Sequence, residues 1–405
     1  MNTSKPKSLV VITTHPIQYN APLFHYLATS KSFQVKVFYT WGENSIHVYD
    51  PGFDKERSWD IDLLTGYDHL FVRNIAKDPG SHHFKGIINP DLIRQVASYH
   101  PNAIIVYGWK HASHLKLMLH FKGKIPIYFR GDSTLLDESR GLNLKKLGRQ
   151  FILKWIYRNI DCALSPGSSS DAYFKWVGLG PEQIIRVPHA VDNQRFNGMT
   201  EEESAGFELK AAEWRKALDI PDHKRVFLFA GKFEPKKDPL MLISAFKKLL
   251  QKYPDIHLIM IGDGVLKHEI EKASLIDIDD SLTDKRPSIT ILPFQNQSLM
   301  PIVYRLADIY VLPSKGPEET WGLGINEAMA CGKPVLVSDK CGAANDLVGD
   351  GQSGFVFKAE DESDLIQKME YMLQGDLKVM SRNAQQKIKA FGYEPFLSAI
   401  EKLLA

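Results

Sequence analysis

The 405-residue sequence is poor in cysteine and lacks long apolar runs. Its three cysteines, Cys162, Cys331 and Cys341, show no CxxC spacing and cannot all pair with one another. This pattern favours free thiols in a reducing compartment over a disulfide framework. No apolar stretch reaches the roughly 18 residues that a membrane span requires, and the run at 9–14 is too short for a signal-peptide core. We therefore expect a cytoplasmic protein whose contact with a membrane, if any, is peripheral, on the inner membrane surface.

A strong excess of charge of either sign is also missing. The chain has 50 Lys and Arg against 48 Asp and Glu, a formal net charge of +2. Bulk electrostatics therefore gives no reason to expect a nucleic-acid partner. An apolar fraction of 44% with 24% charged residues is ordinary for a folded protein. A chain of this length exceeds what one hydrophobic core usually organises, so we expect two domains.

Short β-branched and apolar runs alternate along the chain with segments of helical periodicity. This alternation is typical of βαβ units on a parallel sheet, and it predicts an α/β fold of two Rossmann-like, doubly wound domains facing across a cleft. Ligands of such sheets bind at the carboxyl ends of the strands. The predicted strands are 9–14, 35–39, 103–107, 126–129, 162–165 and 184–187, then 226–230, 257–261, 288–292, 309–312 and 334–338. The predicted helices include 21–29, 91–99, 211–218 and 394–404. The domains are placed at 1–200 and 201–390, with a C-terminal helix at 391–405 that returns to the first domain.

Two carboxylates, Glu319 and Glu327, flank a glycine-rich stretch in EETWGLGINE. Gly322 and Gly324 suit a loop that brings backbone close to a ligand, and a helix should begin just behind it. Free amides and the positive dipole end at a helix N-terminus favour phosphate, and carboxylates accept hydrogen bonds from sugar hydroxyls. The alternative is that both glutamates are solvated acids at a helix start.

A second group of candidate residues lies in FAGKFEPKKDP, where Gly231, Lys232 and Lys237 follow a predicted strand. Two lysines at the carboxyl end of a strand can neutralise a diphosphate and stabilise it as a leaving group. The alternative is a solvated basic loop.

The stretch LPSKGPEETWGLGINEAMACGKPVLVSDKCGAANDLVGDGQSGFVF resembles the donor-site signature of family-4 retaining glycosyltransferases, the glycosyl transferases group 1, which have the GT-B fold. The resemblance implies that Glu327 holds the donor ribose and that Glu319 contacts the transferred sugar. It also implies that the amides of Gly322, Leu323 and Gly324 contact sugar and diphosphate. Lys232 stands where relatives commonly have arginine, so a bidentate phosphate contact is lost there. Lys237 retains the lysine of the family pattern.

Three weaker matches support the resemblance. MIGDG places Gly262 and Gly264 where backbone can approach the nucleotide, and Pro293 and Phe294 occupy a loop that contacts the base in the family. RVPHAVDNQRF, residues 186–196, resembles the entry to the second domain, although His189-Ala190 stands where relatives commonly have Asn-Gly.

The N-terminal half departs from the family pattern at two loops. THPIQYN replaces a glycine-rich loop, and His15 and Asn20 are candidates for substrate contact there. FRGDS replaces a loop that often carries a histidine, leaving Arg130 and Asp132 as candidate substrate ligands. For each loop the alternative is local structural stabilisation.

Two further features have competing interpretations. His111 and His114 could contact acceptor or metal, but two histidines without a third ligand make a poor zinc site, and packing is favoured. Segment 140–158 is basic, lacks acids and is interleaved with apolar residues. It suits an anionic membrane surface, whereas an ordinary amphipathic domain helix is the alternative.

The resemblance implies a glycosyltransferase with an acceptor-binding first domain and a donor-binding second domain. Glu319, Lys232, Lys237 and Asp132 are its candidate catalytic residues, with no metal and no cofactor beyond the nucleotide-diphosphate sugar donor. The predicted acceptor is a glycan, a lipid-linked saccharide or a small molecule, in cell-surface polysaccharide synthesis. Retention of configuration is implied by the resemblance alone. The alternatives are a sugar-nucleotide epimerase or hydrolase, or a non-catalytic nucleotide-sugar binding protein.

Overall fold

The computed structural model describes residues 6–45, 48–50, 55–57, 59–136, 144–275 and 287–405. The chain divides into two compact units. Unit 1 comprises Met1–Val48, Glu56–Ala190 and Gly392–Ala405, and unit 2 comprises Tyr49–Lys55 and Val191–Phe391. The main division after Ala190 falls earlier than the boundary expected at 200.

The strands lie close to the predicted positions in most cases. In chain order they are β1 (Lys7–Thr13), β2 (Phe33–Tyr39), β3 (Val48–Asp50), β4 (Lys55–Arg57), β5 (Asp68–Phe71), β6 (Ala103–Tyr107), β7 (Ile127–Arg130), β8 (Cys162–Ser165), β9 (Ile184–Arg186), β10 (Arg225–Ala230), β11 (Ile256–Ile261), β12 (Ile289–Leu292), β13 (Ile309–Leu312), β14 (Val335–Ser338) and β15 (Gly354–Phe357). β3 and β4 form a separate two-stranded sheet.

The helices fill the crossovers between strands. In chain order they are α1 (Asn20–Ala28), α2 (Leu92–Ser98), α3 (Ala112–Phe121), α4 (Leu144–Tyr157), α5 (Ser168–Trp176), α6 (Asn193–Asn197), α7 (Glu201–Ala217), α8 (Pro239–Leu250), α9 (Lys267–Ser274), α10 (Met300–Arg305), α11 (Leu323–Ala330), α12 (Ala344–Leu347), α13 (Glu362–Gln374), α14 (Leu377–Ile388) and α15 (Tyr393–Leu404). No helix in the described ranges is both long enough and apolar enough to cross a membrane.

Unit 1 is built on a seven-stranded sheet in the order β5-β2-β1-β6-β7-β8-β9. All its strand pairs are parallel. In β1, residues 9–12 form a continuous apolar run, and its side chains are buried on both faces of the sheet. Val10 and Ile12 pack into one core cluster and Leu9 and Val11 into another, so both faces of the sheet are covered, as in parallel sheets generally.

Unit 2 repeats this architecture with six parallel strands in the order β12-β11-β10-β13-β14-β15. Numbered within the unit, the order is 3-2-1-4-5-6, that of a Rossmann fold. The direction of winding reverses between β10 and β13. Ligands of open α/β sheets bind outside the carboxyl ends of the strands at this switch point, so the loops that follow β10 and β13 are the ones to inspect.

The C-terminal helix α15 belongs to unit 1. Tyr393, Phe396, Ile400 and Leu404 recur at helical spacing and join a core cluster with residues of β1 and β2. The Tyr128 hydroxyl donates to the Leu403 carbonyl at 3.0 Å. This helix therefore helps to cover one face of the unit 1 sheet.

Four of the described strands, β3, β4, β5 and β15, and part of one helix were missing from the sequence-based expectation. β5 is an edge strand with the polar composition DHLF, so it lacks an apolar run. β15 begins at a glycine and has only four residues. Helix α7 begins ten residues before the predicted 211, with Thr200 as its N-cap and three glutamates in its first turn. Those start signals were present in the sequence.

Candidate functional site

The loops at the unit 2 switch point hold most of the predicted donor residues. The loop after β10 carries Gly231, Lys232 and Lys237, and the segment after β13 carries Glu319 and the start of α11. These loops are neighbours because β10 and β13 pair in parallel. Parallel strands bring their carboxyl ends to the same edge of the sheet, which explains how residues far apart in sequence meet here.

Lys237 and Glu319 form an ion pair, with the lysine Nζ on Glu319 Oε2. The Ser314 hydroxyl donates to the same carboxylate oxygen at 2.8 Å. Glu319 is buried and Lys237 is largely so. A buried charge is stable only when it is paired and hydrogen-bonded, so this pair fixes the loop after β10 to the loop after β13.

The loop that follows Glu319 is held by contacts to the protein interior. The amide of Gly342 donates to the Glu319 carbonyl at 3.1 Å and that of Ala343 to the Trp321 carbonyl at 3.0 Å. The buried Trp321 indole donates to Asn326 Oδ1 at 2.8 Å. Gly322 follows with φ of 93°, a left-handed conformation that glycine adopts at little cost, and serves as the N-cap of α11. The glycine-rich stretch is therefore a rigid turn into a helix.

Glu327 lies on α11 with only 3% of its surface exposed. Its Oε2 accepts a 2.6 Å hydrogen bond from the Tyr304 hydroxyl, whereas its buried Oε1 has no hydrogen-bond partner among the described residues. Burial raises the pKa of Glu327 to about 7, opposed by the Tyr304 hydrogen bond and the charge of Arg195. An unsatisfied buried carboxylate oxygen calls for an explanation.

Three side chains around these carboxylates were missed at the sequence level. Tyr304 comes from α10 and Ser314 from the segment after β13, while Arg195 lies near α11 and donates to Gln297 at 2.7 and 3.0 Å. Ser314 and Arg195 stand inside stretches that carry the family resemblance, but that resemblance gave them no role. Ser314 is five residues from Glu319, whereas Tyr304 is 23 residues from Glu327 and depends on tertiary contact.

The glycines after β11 serve loop packing. A Cβ at Gly262 would lie 2.0 Å from the Gly231 carbonyl oxygen, and one at Gly264 would lie 2.6 Å from the Phe233 carbonyl oxygen. The Phe233 amide donates to the Asp263 carbonyl at 2.9 Å. Gly262 and Gly264 are thus required for close approach between the loops after β10 and β11, a physical reason different from the expected approach to nucleotide.

Pro293 and Phe294 directly follow β12, which pairs with β11. Pro293 is exposed and Phe294 half-buried, and Lys232 is half-buried in the loop after β10. All the predicted donor residues of unit 2 therefore lie at the carboxyl edge of its sheet or on α11. Together they offer two lysines, two carboxylates and the N-terminus of a helix, a set that can bind a diphosphate and hydroxyl groups.

In unit 1, His15 lies just after β1. Its Nδ1 is 2.8 Å from the Thr14 hydroxyl, and its ring packs edge-on against Trp41 with centroids 5.1 Å apart. Burial, helped by the nearby His111, lowers the pKa of His15 to about 4, so the imidazole is neutral at physiological pH. Asn20 is the first residue of α1.

His111 and His114 lie beyond β6, and their rings pack at 5.2 Å. His114 is fully buried, with Nε2 at 2.8 Å from the Thr40 hydroxyl and Nδ1 at 2.9 Å from the Gly108 carbonyl. His114 therefore has a packing role.

Arg130 is 5% exposed and donates to the carbonyls of Leu164, Val187 and Pro188 at 3.0, 2.6 and 2.9 Å. Its guanidinium is thus an internal cross-link. These bonds account for the buried charge, and the substrate-binding role expected for Arg130 gains no support from them. Asp132 lies 3.8 Å from His189 Nε2 within the same unit.

In the described part of the chain, one group of side chains could hold a metal ion: Asp78, His82 and His83 of unit 1. Their potential ligand atoms lie within 4.8 Å of one another. His82 Nε2 and His83 Nε2 lie 3.2 and 3.3 Å from Asp78 Oδ2. The side chains are largely exposed, and we assign the cluster no ligand.

Comparison with known families gives a match to the model of glycosyl transferases group 1 over residues 210–390. The matched range lies within unit 2, so unit 2 is similar to this family over most of its length. The matched range contains Lys232, Lys237, Glu319 and Glu327.

Curated relatives align over part of the chain. D-inositol 3-phosphate glycosyltransferase of Corynebacterium jeikeium is 29% identical over 223 residues, 54% of this chain and 50% of that protein. Lipopolysaccharide 1,2-N-acetylglucosaminetransferase of Salmonella typhimurium is 33% identical over 153 residues, 38% of this chain and 40% of that protein. The chain thus spans half or less of the length of these relatives.

A solved structure of Anabaena HepE, determined in complex with UDP and glucose, matches over the whole length. The TM-score is 0.67 at 16% identity, covering 98% of this chain and 99% of the other. This likeness shows the fold, and the two Rossmann-like α/β units are those of the GT-B class, as predicted. The range similar to glycosyl transferases group 1 lies in the second of these units and contains its predicted donor residues.

Proposed function

We propose that the protein transfers a glycosyl group from a nucleoside diphosphate sugar to an acceptor hydroxyl. The observation that carries the proposal is the buried Glu327, whose Oε1 finds no hydrogen-bond partner in the part of the chain that the structure describes. A ribose hydroxyl of the donor would donate to that oxygen and satisfy it. The ionised carboxylate, favoured by the Tyr304 hydrogen bond, is the form that accepts such bonds.

The diphosphate of the donor would be bound by positive charge around the start of α11. Lys232 and Lys237 supply the cations, and the amides at Gly322, Leu323 and Gly324 supply hydrogen-bond donors. As the bond between anomeric carbon and phosphate breaks, negative charge grows on the leaving diphosphate, and these groups stabilise it. Because lysines carry this charge, the proposal includes transfer without a divalent cation or other cofactor.

The pair Lys237–Glu319 gives the site a defined state before donor binds. The ion pair holds Glu319 next to Gly322, since a Cβ at Gly322 would lie 3.7 Å from Glu319 Oε1. On donor binding, Lys237 would turn to phosphate and Glu319 would accept a hydroxyl of the transferred sugar. We propose retention of anomeric configuration by front-side displacement, and Asp132 stays a candidate catalytic residue of unit 1.

The proposed acceptor is a saccharide of the cell surface, and the proposed compartment is the cytoplasm. The support is that one relative is named for lipopolysaccharide N-acetylglucosamine transfer and another for inositol phosphate glycosylation. The HepE structure contains UDP, which makes uridine nucleotides the first donors to examine.

Donor binding is tested by thermal shift with UDP, GDP and ADP and their sugars. One nucleotide should raise apparent stability, by about 2.7 kcal/mol at a hundredfold excess over its dissociation constant. Glu327→Ala should abolish that shift, whereas Glu213→Ala on the exposed face of α7 should keep it. Absence of any shift would contradict the proposal.

Transfer is tested by incubating the stabilising donor with and without saccharide acceptors. The proposal is supported if the donor is consumed only when an acceptor is present and if the product keeps the anomeric configuration of the donor. Rapid consumption without acceptor would indicate a hydrolase or epimerase. Donor binding without any turnover would indicate a nucleotide-sugar binding protein, and an inverted product would contradict retention. Unchanged rates after treatment with a chelator support the metal-independent reaction.

A further inference from the structure

Helix α4 of unit 1 exposes an unusual amount of apolar surface. Phe151 is 76% exposed and Ile152 57%, and Leu147 and Trp155 are about half exposed. Leu147, Phe151 and Trp155 recur every fourth residue, so they lie along one side of the helix. A contiguous patch of large, exposed apolar side chains often marks an interaction surface.

The opposite side of α4 is already used for packing. Leu153, Ile156 and Tyr157 are buried in the core cluster that covers one face of the unit 1 sheet. The exposed stripe is therefore additional to the core-facing side that an amphipathic domain helix requires. The interpretation of α4 as an ordinary amphipathic domain helix accounts for its buried side and leaves its exposed apolar stripe unexplained.

The charge on α4 is of one sign. Residues 144–158 contain no acidic residue. The cations are Lys145, Lys146, Arg149, Lys154 and Arg158. Residues 140–143 of the basic segment lie outside the described residues. The neighbouring crossover helix α3 packs into the same core cluster, and it too lacks acids.

A pocket of about 390 Å³ opens at the C-terminal end of α4, lined by Lys154 and Arg158 together with Tyr157, Val177, Gly178, Leu179 and Gln183. A Cβ at Gly178 would lie 3.5 Å from the Lys154 side chain, so the aliphatic part of that lysine runs past this glycine. Two cations and a side-chain amide can hold a phosphate group. The pocket lies next to the apolar stripe, where a headgroup phosphate would lie once apolar side chains enter a bilayer.

We propose that the exposed side of α4 docks on an anionic phospholipid surface, with Phe151 and Trp155 entering the headgroup region and Lys154 and Arg158 holding lipid phosphate. Apolar side chains flanked by cations are the pattern of helices that lie in a membrane interface. A second copy of this chain is a poorer occupant, because two such faces would bring like charges together. The proposal goes beyond glycosyl transfer and does not depend on it.

The test is co-sedimentation of the full chain with vesicles of phosphatidylcholine, pure or mixed with phosphatidylglycerol. The protein should sediment with the mixed vesicles and stay in solution with pure phosphatidylcholine, and added salt should weaken binding. Sedimentation to the same extent with both vesicles, or with neither, would overturn the proposal.

Paired variants locate the contact. Phe151→Ser with Trp155→Ser should reduce vesicle affinity roughly tenfold or more through lost apolar burial. Lys154→Gln with Arg158→Gln should do the same through lost charge. The matched controls on α7, Leu209→Ser and Lys210→Gln with Lys216→Gln, should leave affinity unchanged. Thermal unfolding checks that each variant is folded.

Two outcomes would assign the surface to another occupant. Concentration-dependent dimerisation in light scattering that Phe151→Ser abolishes, without vesicle binding, would make α4 an interface between copies. Equal loss of vesicle binding in the α4 and α7 variants would show that binding follows net charge, and would overturn docking by α4.

Discussion

The Tyr304 hydroxyl donates a 2.6 Å hydrogen bond to Glu327 Oε2, joining α10 to α11 inside unit 2. This bond favours the ionised carboxylate, against the burial that raises the Glu327 pKa to about 7. The ionisation of the proposed ribose ligand therefore depends on a tyrosine that no motif marks.

Removing that hydroxyl should weaken both the fold and donor binding. Tyr304→Phe leaves Oε2 buried without a donor, and the free energy of unfolding should fall by roughly 1–3 kcal/mol. The pKa of Glu327 should rise further, so nucleotide affinity at neutral pH should fall. Chemical denaturation and titration calorimetry measure these effects. Tyr371→Phe, at an exposed tyrosine, is the control, and an equal effect there would refute the assigned role.

The contribution of Glu327 to stability should change with pH. Its pKa is raised from 4.5 to about 7 in the folded protein, so between these values the folded state holds a proton that the unfolded chain has released. Its contribution to the free energy of unfolding is therefore full at low pH and is lost as pH rises to about 7, by up to roughly 3 kcal/mol. The difference between wild type and Glu327→Gln should follow this course in denaturation at several pH values. A pH-independent difference would show that Glu327 does not titrate in this range.

Donor affinity should show the opposite pH dependence. Ribose hydroxyls donate to the ionised carboxylate, so binding of nucleoside diphosphate should tighten as the pH rises through about 7. Calorimetry across this range measures the effect. Glu327→Gln should bind more weakly and lack this step, whereas Glu213→Gln should retain it.

Breaking the Lys237–Glu319 pair should cost stability as well as turnover. Lys237→Ala leaves the Glu319 charge buried with Ser314 as its remaining partner, and the expected loss is about 3 kcal/mol. Loss of leaving-group stabilisation should lower turnover by roughly 100-fold or more. Lys237→Ala with Glu319→Ala should recover part of the stability and none of the activity.

Lys236→Ala is the matched control for that variant. Lys236 pairs with Glu234 at 3.6 Å near the surface, and such pairs contribute about 1 kcal/mol or less. Similar losses at positions 236 and 237 would mean that the loop needs bulk positive charge only, and would argue against the specific pair.

Arg130 should affect stability and leave substrate affinity unchanged. Arg130→Met leaves three buried carbonyls unpaired, and each costs roughly 1 kcal/mol or more. The free energy of unfolding should therefore fall by about 3 kcal/mol, with KM of the folded fraction close to wild type. Arg94→Met, at an exposed arginine paired with Asp91, should have little effect. A large rise in KM for Arg130→Met would restore a role in substrate binding.

The positions of the donor loops could be predicted because they depend on local patterns. Apolar runs at 226–230 and 309–312 locate β10 and β13 within one residue, and the strand order of a doubly wound sheet then places the loops behind them side by side. Gly322 was predictable in the same way, since a turn into a helix favours a residue that tolerates positive φ. β5 was missed because an edge strand of composition DHLF has no apolar run.

Contacts between distant segments could not be obtained from such patterns. Lys237 and Glu319 are separated by 82 positions, and their pairing depends on the neighbouring loops of β10 and β13. Gly262 and Gly264 were expected to make room for nucleotide, but the groups they approach are the backbone of residues 231 and 233. Arginine is a common ligand-binding residue, yet the Arg130 guanidinium points inward and donates to three backbone carbonyls.

The sequence by itself determined the kind and order of most of the secondary structure, the two parallel sheets and the chemical types present at the carboxyl edge of unit 2, because apolar periodicity and glycine placement act over a few neighbouring residues. Tertiary structure decided the protonation of Glu327, the partner of Lys237, the internal role of Arg130 and the exposure of Phe151. Each of these depends on how much water and which charges surround a side chain, and packing between segments far apart in the chain sets both.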